Sequence, residues 1–288
     1  MNAKEWVSWG TSQLEQQQIS DASLDAWYLF EFVTSLSRID FLLDGDKEIK
    51  EEQGKRYEQL IKKRKEHIPL QHLTGVQEFM GYEFFVNENV LIPRQDTETV
   101  IEEVLKTAPS GEKMLDVCTG SGCIALSIAL LGNYKEVVAT DLSKEALFVA
   151  KKNAERLLKE NETNSFVRFY QGDLFESIPK EEKFDLIVSN PPYIETKECE
   201  KLMPEVKDHE PMMALDGRED GLYFYRRIVK EARQYLTDGG WLFFEIGYNQ
   251  GSALQEIFSS YKEYEDIQIK KDLAGLDRIA AARFKKIK

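Results

Sequence analysis

Residues 184–194 read Phe-Asp-Leu-Ile-Val-Ser-Asn-Pro-Pro-Tyr-Ile, a short apolar run that stops in an amide, two prolines and an aromatic ring. The side-chain carbonyl of Asn190 and the backbone carbonyl of Pro191 are acceptors that can take both hydrogens of one –NH2 group. Tyr193 then lies against the plane of that group. An amide or aromatic amino nitrogen is a poor nucleophile because its lone pair is delocalised. Two acceptors and a ring face favour the geometry in which that pair is free to attack, so the chemistry expected here is alkylation of such a nitrogen. Asn190, Pro191 and Tyr193 are its expected catalytic groups, and with Pro192 they form the substrate clamp. Asn190 precedes a proline and is held extended, and Pro191 and Pro192 fix the next two backbone angles. Little entropy is lost in holding such a loop still. Asn-Pro is also an ordinary way to end a strand in a turn, and a second motif changes the balance.

That motif is Asp116-Val117-Cys118-Thr119-Gly120-Ser121-Gly122, placed where a first strand turns into a first helix. Open α/β sheets bind nucleotide-like ligands at such a turn, and its glycines let the ligand approach the backbone closely. Cys118, Thr119, Gly120, Ser121 and Gly122 are therefore candidate cofactor residues. Asp141 ends the next strand about 20 residues on, where a carboxylate can accept from both hydroxyls of a ribose. Gly172-Asp173-Leu174 ends a third strand, where Asp173 is expected to take an adenine amino group while the Leu174 backbone reads the ring. Gly120-x-Gly122-x-x-Ala125 also satisfies a permissive dinucleotide fingerprint, so a nicotinamide enzyme is a competitor. No Ser-Tyr-Lys or His-Asp set suited to hydride and proton transfer stands out. S-adenosylmethionine, leaving as S-adenosylhomocysteine, accounts for both halves, with Asn190 between cofactor and amino group.

The elements that must position these residues follow from hydrophobic period. Residues 1–72 carry Trp6, Trp9, Leu14, Leu24, Trp27, Phe30, Ile39 and Phe41 at spacings near three and four, which predicts helices. The period becomes strand-like over 76–93, broken by Gly81 and by Asn87-Glu88-Asn89, which predicts a β-hairpin. Beyond it strands (114–118, 136–140, 167–171, 184–189, 241–246, 267–270, 278–284) alternate with helices (96–107, 122–131, 144–158, 223–235, 252–260). Such alternation predicts an α/β sheet of about seven strands, largely parallel and covered on both faces.

Composition narrows the class. With 288 residues, 42% hydrophobic and 31% charged, the chain is long enough for one large and one small core. No apolar run approaches the roughly 20 residues of a membrane span, and no signal-like start is visible, so a cytoplasmic location is expected. Cys118, Cys123 and Cys199 form no Cys-x-x-Cys pair, and His67, His72 and His209 are scattered, which argues against a disulfide framework or a metal site. A net charge of −13 disfavours direct binding to nucleic acid, which ordinarily needs a basic face.

The full set of motifs resembles one family. Ile92-Pro93-Arg94-x-x-Thr97-Glu98, the Asp116 to Gly122 loop, Ser189-Asn190-Pro191-Pro192-Tyr193-Ile194, Ala214-Leu215-Asp216-Gly217-x-x-Asp220-Gly221-Leu222 and Asp272-Leu273-Ala274-Gly275-x-Asp277-Arg278 are similar to those of the peptide chain release factor glutamine methyltransferases. The likeness includes Pro69-Leu70-Gln71-x-Leu73-Thr74-Gly75 and spans nearly the whole chain. It implies a Rossmann-like class I methyltransferase domain with a mixed seven-stranded sheet (94–288); the helical residues 1–75 then form a small N-terminal bundle, expected to recognise the substrate because it is separate from the cofactor half, with the β-hairpin (76–93) linking the two. It implies methyl transfer from S-adenosylmethionine to the side-chain nitrogen of the glutamine in the Gly-Gly-Gln loop of a release factor. Cys118 to Gly122, Asp141 and Leu174 would hold cofactor, and Asn190 to Tyr193 the glutamine. Cys118 stands where many members have Gly, and Gln95-Asp96 where Pro-Glu is commoner. An adenine amino methyltransferase acting on nucleic acid, and an inert fold serving as a binding module, are the alternatives.

Overall fold

Apolar residues three and four apart fold the first 75 residues into α1 (Ala3–Glu15), α2 (Ala22–Thr34), α3 (Arg38–Asp44), α4 (Glu51–Arg64) and α5 (Leu70–Thr74). A capping box starts α1: the Asn2 side chain accepts from the Glu5 amide, and the Glu5 carboxylate accepts from the Asn2 amide. Ala26, Trp27, Leu29, Phe30 and Val33 of α2 form a core with Leu14 of α1 and Tyr57 and Ile61 of α4. Gly10 permits this packing, because a Cβ there would lie 2.0 Å from the Tyr57 hydroxyl.

The structure is a computed structural model that describes residues 1–287, and the chain divides into two units. The first contains Met1–Val76 together with Met203–His209, a segment from much later in the chain. Its fixing point is Arg64, which donates to Asp25 (2.7 Å), to Glu205 (3.1 Å) and to the Ile68 carbonyl (3.4 Å). Nothing in the local sequence signals that capture.

The second unit begins with a hairpin, β1 (Val76–Phe79) and β2 (Tyr82–Phe85), and continues through α6 (Gln95–Thr107), β3 (Ser110–Val117), α7 (Cys123–Leu131), β4 (Asn133–Asp141), α8 (Lys144–Glu160) and β5 (Phe166–Gln171). Then come β6 (Phe184–Ser189), the short α9 (Thr196–Cys199) and α10 (Pro204–Lys207, in the first unit), α11 (Tyr223–Ala232), β7 (Leu236–Glu245), α12 (Gly251–Ser259), β8 (Tyr264–Lys271) and β9 (Asp277–Phe284). The hairpin turns at Met80-Gly81, both at positive φ (52° and 77°), the geometry that two-residue hairpin loops favour. Asn87-Glu88-Asn89 is instead an Asx turn in which the Asn89 amide donates to the Asn87 side chain (3.0 Å). Residues 77–93 are integral to this unit, since Phe79 and Phe84 are buried with Val100, Ile101 and Val104 of α6.

Seven strands lie in the order β5-β4-β3-β6-β7-β9-β8; the first five are parallel, and β9 runs antiparallel to both its neighbours. This is the mixed seven-stranded sheet expected from the sequence. Alternate residues feed two cores, Leu115, Val117 and Ile187 entering one and Met114, Leu186 and Val188 the other, as the two-residue period of a strand requires. β7 starts earlier than its apolar run suggests: Thr237-Asp238-Gly239-Gly240 reads as a loop but continues the strand through an irregularity, with Gly239 at φ 84°.

The Asp25–Arg64 side chains are only 9% and 7% exposed, and burial raises the Asp25 carboxyl above its ordinary pKa even beside the guanidinium. Arg64→Ala is expected to destabilise the bundle by about 3 kcal/mol near neutral pH, because it strands a buried carboxylate. The loss should shrink in acid, where Asp25 is neutral. Chemical denaturation followed by tryptophan fluorescence would measure it; an equal loss at both pH values would contradict the assignment.

Candidate active site

The sheet register gathers the site. Val117 pairs with Thr140 on one side and Ser189 on the other, Ser189 pairs with Phe244, and Thr140 pairs with Tyr170. One rung thus runs across five strands, and the residues that follow it, Cys118, Asp141, Asn190 and Glu245, stand side by side at the carboxyl ends of four of them. Ser189 locks the centre by donating to the Val117 carbonyl (2.6 Å). A cavity of about 360 Å³ opens at this edge.

The loop after β3 is braced from below by Asp116. One carboxylate oxygen accepts from the Thr119 hydroxyl (2.6 Å) and from the Ala125 amide (3.2 Å). Asp116 is fully buried, and burial pushes its carboxyl up to about 7. Asp141 holds the loop from the side, accepting from the Gly120 amide (2.8 Å) and the Ser143 amide (2.9 Å). Four lone-pair sites leave that carboxylate able to accept from hydroxyls as well. Gly120 has φ 56°, and nothing lies within 4 Å of where its Cβ would stand, so the bare backbone forms an open cradle at the loop. Cys118 sits at φ 64°, in the left-handed region that glycine occupies without strain.

Cys118, Thr119, Gly120, Ser121, Asp141, Asp173, Leu174, Asn190 and Pro192 all line the cavity. Gly122, Pro191 and Tyr193 are not on its wall. The Cβ direction of Gly122, at φ 83°, points at Ala150 of α8 (3.2 Å), so this glycine serves helix packing. Asp173 is engaged by Arg227, which donates to it at 3.1 Å. Tyr193 stands beside the cavity, half-buried, with its hydroxyl donating to Glu245 (3.3 Å).

Each motif residue around the clamp has a bonding task. Arg94 pairs with the buried Glu210, which also accepts from the Ile92 amide (3.3 Å). Thr97 donates to Glu245 (2.5 Å) and accepts from the Asn190 amide nitrogen (3.4 Å). Glu98 accepts from the Met80 amide (2.6 Å), tying the hairpin turn to α6. Gly217 and Gly221 press on the clamp backbone, since a Cβ at either would fall 2.7 Å from the Tyr193 Cα or 2.3 Å from its carbonyl oxygen. Gln250 donates to that same carbonyl (3.0 Å) and to the Gly221 carbonyl (3.3 Å).

Glu245, Gln250 and Asn153 were not foreseen as site residues. Asn153 exchanges hydrogen bonds with the Phe85 backbone and donates to the Ser121 carbonyl (2.9 Å), joining hairpin and Gly-rich loop. The available signals were a polar residue on the buried face of a helix and a carboxylate closing an apolar strand. Both mark a buried polar group that must find a partner, without naming the partner.

Residues 5–75 match the family described as PrmC N-terminal domain, and residues 95–206 the family described as methyltransferase small domain. The chain is 39% identical over 277 residues to the release factor glutamine methyltransferase of Geobacter sulfurreducens, covering 96% of this chain and 95% of that one. It is 37% identical over 291 residues to that of Bacillus subtilis, covering 99% and 98%. A solved methyltransferase from Pyrococcus furiosus superposes with a TM-score of 0.53 at 23% identity, covering 73% of this chain and 91% of that one, a likeness of fold.

The site is expected to make stability depend on pH. The folded pKa of Asp116, about 7, lies above its unfolded value of 3.8, so the native state binds the extra proton between the two. That contribution is complete below the unfolded value and is lost as pH rises through the folded one. Asp141, Glu210 and Glu245, also raised by burial, act in the same direction. Denaturation midpoints at pH 5 and pH 8 should therefore differ less in Asp116→Asn than in the parent protein; unchanged differences would refute this. Cys118→Gly should stabilise the fold by up to about 1 kcal/mol, the left-handed strain less the entropy of a freer chain. Thermal denaturation would show it, and a lowered midpoint would mean that the thiol's packing outweighs the strain.

Proposed function

The chain belongs to the release factor glutamine methyltransferases, and we propose on that premise that it methylates the side-chain amide nitrogen of the glutamine in the Gly-Gly-Gln loop of peptide chain release factors, with S-adenosylmethionine as donor. The observation that carries the reading is the single sheet edge that delivers Asn190 to the same cavity as Cys118, Gly120 and Asp141. When bound there, S-adenosylmethionine supplies a methyl group activated by a positively charged sulfur.

The chain's own residues do the rest. The bare backbone at Gly120 and the spare lone pairs of Asp141 suit a ribose, and Asp173 and Leu174 flank the place of its base. Asn190, on the cavity wall, accepts one hydrogen of the glutamine –NH2 through its side-chain carbonyl; the Pro191 carbonyl and the Tyr193 ring, set back from that wall, are the second acceptor and the brace that the glutamine reaches as it enters. The nitrogen lone pair is thereby turned toward the cavity. Alkylation makes the nitrogen strongly acidic, and its proton leaves to water, so orientation and fixed dipoles supply the rate. Met212 and Met213, half exposed on the cavity wall, offer adaptable apolar surface to the peptide that carries the glutamine.

The bundle is read as the recognition domain. Leu24, Tyr28 and Phe32 stand exposed along one face of α2, and Ile39, Leu42 and Leu43 along α3, an apolar surface of the kind that marks protein–protein contact. No described helix is long and apolar enough to cross a membrane, and a cytoplasmic site of action accompanies a release-factor substrate. Adenine offers the same –NH2 geometry, but a net charge of −13 is poorly suited to a nucleic-acid partner.

Incubation of a purified release factor with the protein and S-adenosylmethionine should add one methyl, mapped by peptide fragmentation to the Gly-Gly-Gln glutamine. A methyl only on DNA or RNA would move the reading to adenine. Asn190→Ala should lower turnover roughly a hundredfold, about 3 kcal/mol, as expected for losing one preorganised hydrogen-bonding group. Near-full turnover would remove Asn190 from the mechanism.

A further inference from the structure

The two ends of an asparagine amide are alike in size and opposite in function: the carbonyl end can only accept, and the amino end can only donate. A clamp that takes the hydrogens of an –NH2 group works only if the carbonyl end of Asn190 faces it. The loop's prolines fix backbone angles but leave this choice open.

The buried groups behind Asn190 close it. Thr97 and Glu245 are each 2% exposed. The Thr97 hydroxyl has one hydrogen and donates it to Glu245 (2.5 Å). Its oxygen is then free only to accept, and from Asn190 it accepts an amino hydrogen (3.4 Å). With Nδ2 turned to Thr97, Oδ1 is the end left for a ligand. We propose that Glu245, acting through Thr97, is the positioning residue that decides which end of the Asn190 amide meets the substrate.

The same carboxylate steadies the other arm of the clamp, because its second oxygen accepts from the Tyr193 hydroxyl (3.3 Å). Both oxygens of Glu245 thus act as acceptors. Burial pushes the Glu245 carboxyl toward its neutral form, and Asp96 adds to that; Thr97, Tyr193 and the Arg278 charge oppose it. Arg278 is itself held by Asp96 (3.0 Å) and Asp272 (3.3 Å). The Asp272 to Arg278 block thus ties into the clamp through charge.

The inference rests on the proposed reaction for the identity of the –NH2 group, and on the structure alone for the bonds. Its test uses the chain of residues 1–288 and two readouts. In steady-state methylation of a release factor, Thr97→Val should lower kcat at least tenfold while the affinity for S-adenosylmethionine stays within twofold, and Thr97→Ser should restore kcat. Glu245→Met should lower kcat as Thr97→Val does. Glu245→Gln should lose less, because its carbonyl can still accept from Thr97. The second readout needs no substrate: one Asn190 side-chain hydrogen should be protected from exchange in 15N-labelled parent protein and Thr97→Ser, and exposed in Thr97→Val. Protection unchanged in folded Thr97→Val, or Thr97→Ser as slow as Thr97→Val, would overturn the proposal. A parent protein inactive on release factors but showing the expected protection would overturn the reaction assignment and leave the positioning intact. If Glu245→Met does not fold, the threonine pair decides.

Discussion

Backbone hydrogen bonding across the rung Thr140, Val117, Ser189 and Phe244 sets where the strand-end groups of the site stand. Neighbouring strands are about 4.8 Å apart, so Asp141, Cys118, Asn190 and Glu245 emerge as a row at roughly that spacing. A slip of one residue in any pair would turn that strand's side chains to the opposite face and break the row. The cores resist this slip, because Leu115 and Met114, or Ile187 and Leu186, would exchange places between two differently shaped apolar layers. Packing on the two faces therefore fixes a register whose functional consequence lies at the strand ends. Ser189 adds a polar restraint at the rung itself.

Below this row the interior holds several polar groups. Asp116, Ser189, Thr97 and Glu245 are at most 2% exposed. Burying such groups costs free energy unless their hydrogen bonds are made, and the cost makes each bond a strong constraint on geometry. Asp116 shapes the loop that approaches the cofactor place, Gln250 fixes the clamp backbone, and Glu245 orders the clamp side chains. Gly217 and Gly221 belong to the same scheme, since absence of a side chain lets a second segment lie directly on the Tyr193 backbone. Stability is spent here on orientation.

What could be read from sequence divides along the same line. The parallel strands, the Gly-rich turn, the acid ending the second strand and the Asn-Pro-Pro-Tyr loop are local patterns, and the structure brings most of those residues to one cavity. Gly122 is expected at the ligand from its motif, but its packing against Ala150 could not be read there, because the direction of a missing Cβ depends on a helix 28 positions away in the chain. Thr97 could be placed in a motif but given no task, since its partners Asn190 and Glu245 lie 93 and 148 residues away. The capture of Met203–His209 by Arg64 was likewise invisible. Periodicity reports which face is buried; it does not report which buried polar group answers which.

The clamp does not by itself choose between glutamine and adenine. Two carbonyl acceptors and a ring face suit any planar –NH2, and a carboxylate that orients Asn190 serves both. Discrimination must then reside in how the group is delivered. A base arrives on a polyanion, which meets a chain of net charge −13 with repulsion. A glutamine arrives on a peptide, and Met212 and Met213 offer apolar surface at the cavity. A folded protein carrying it could also bury the exposed residues of α2 and α3. On the proposed reading the strand-end groups set the chemistry, and the substrate is chosen by apolar surface at the cavity rim and on the bundle.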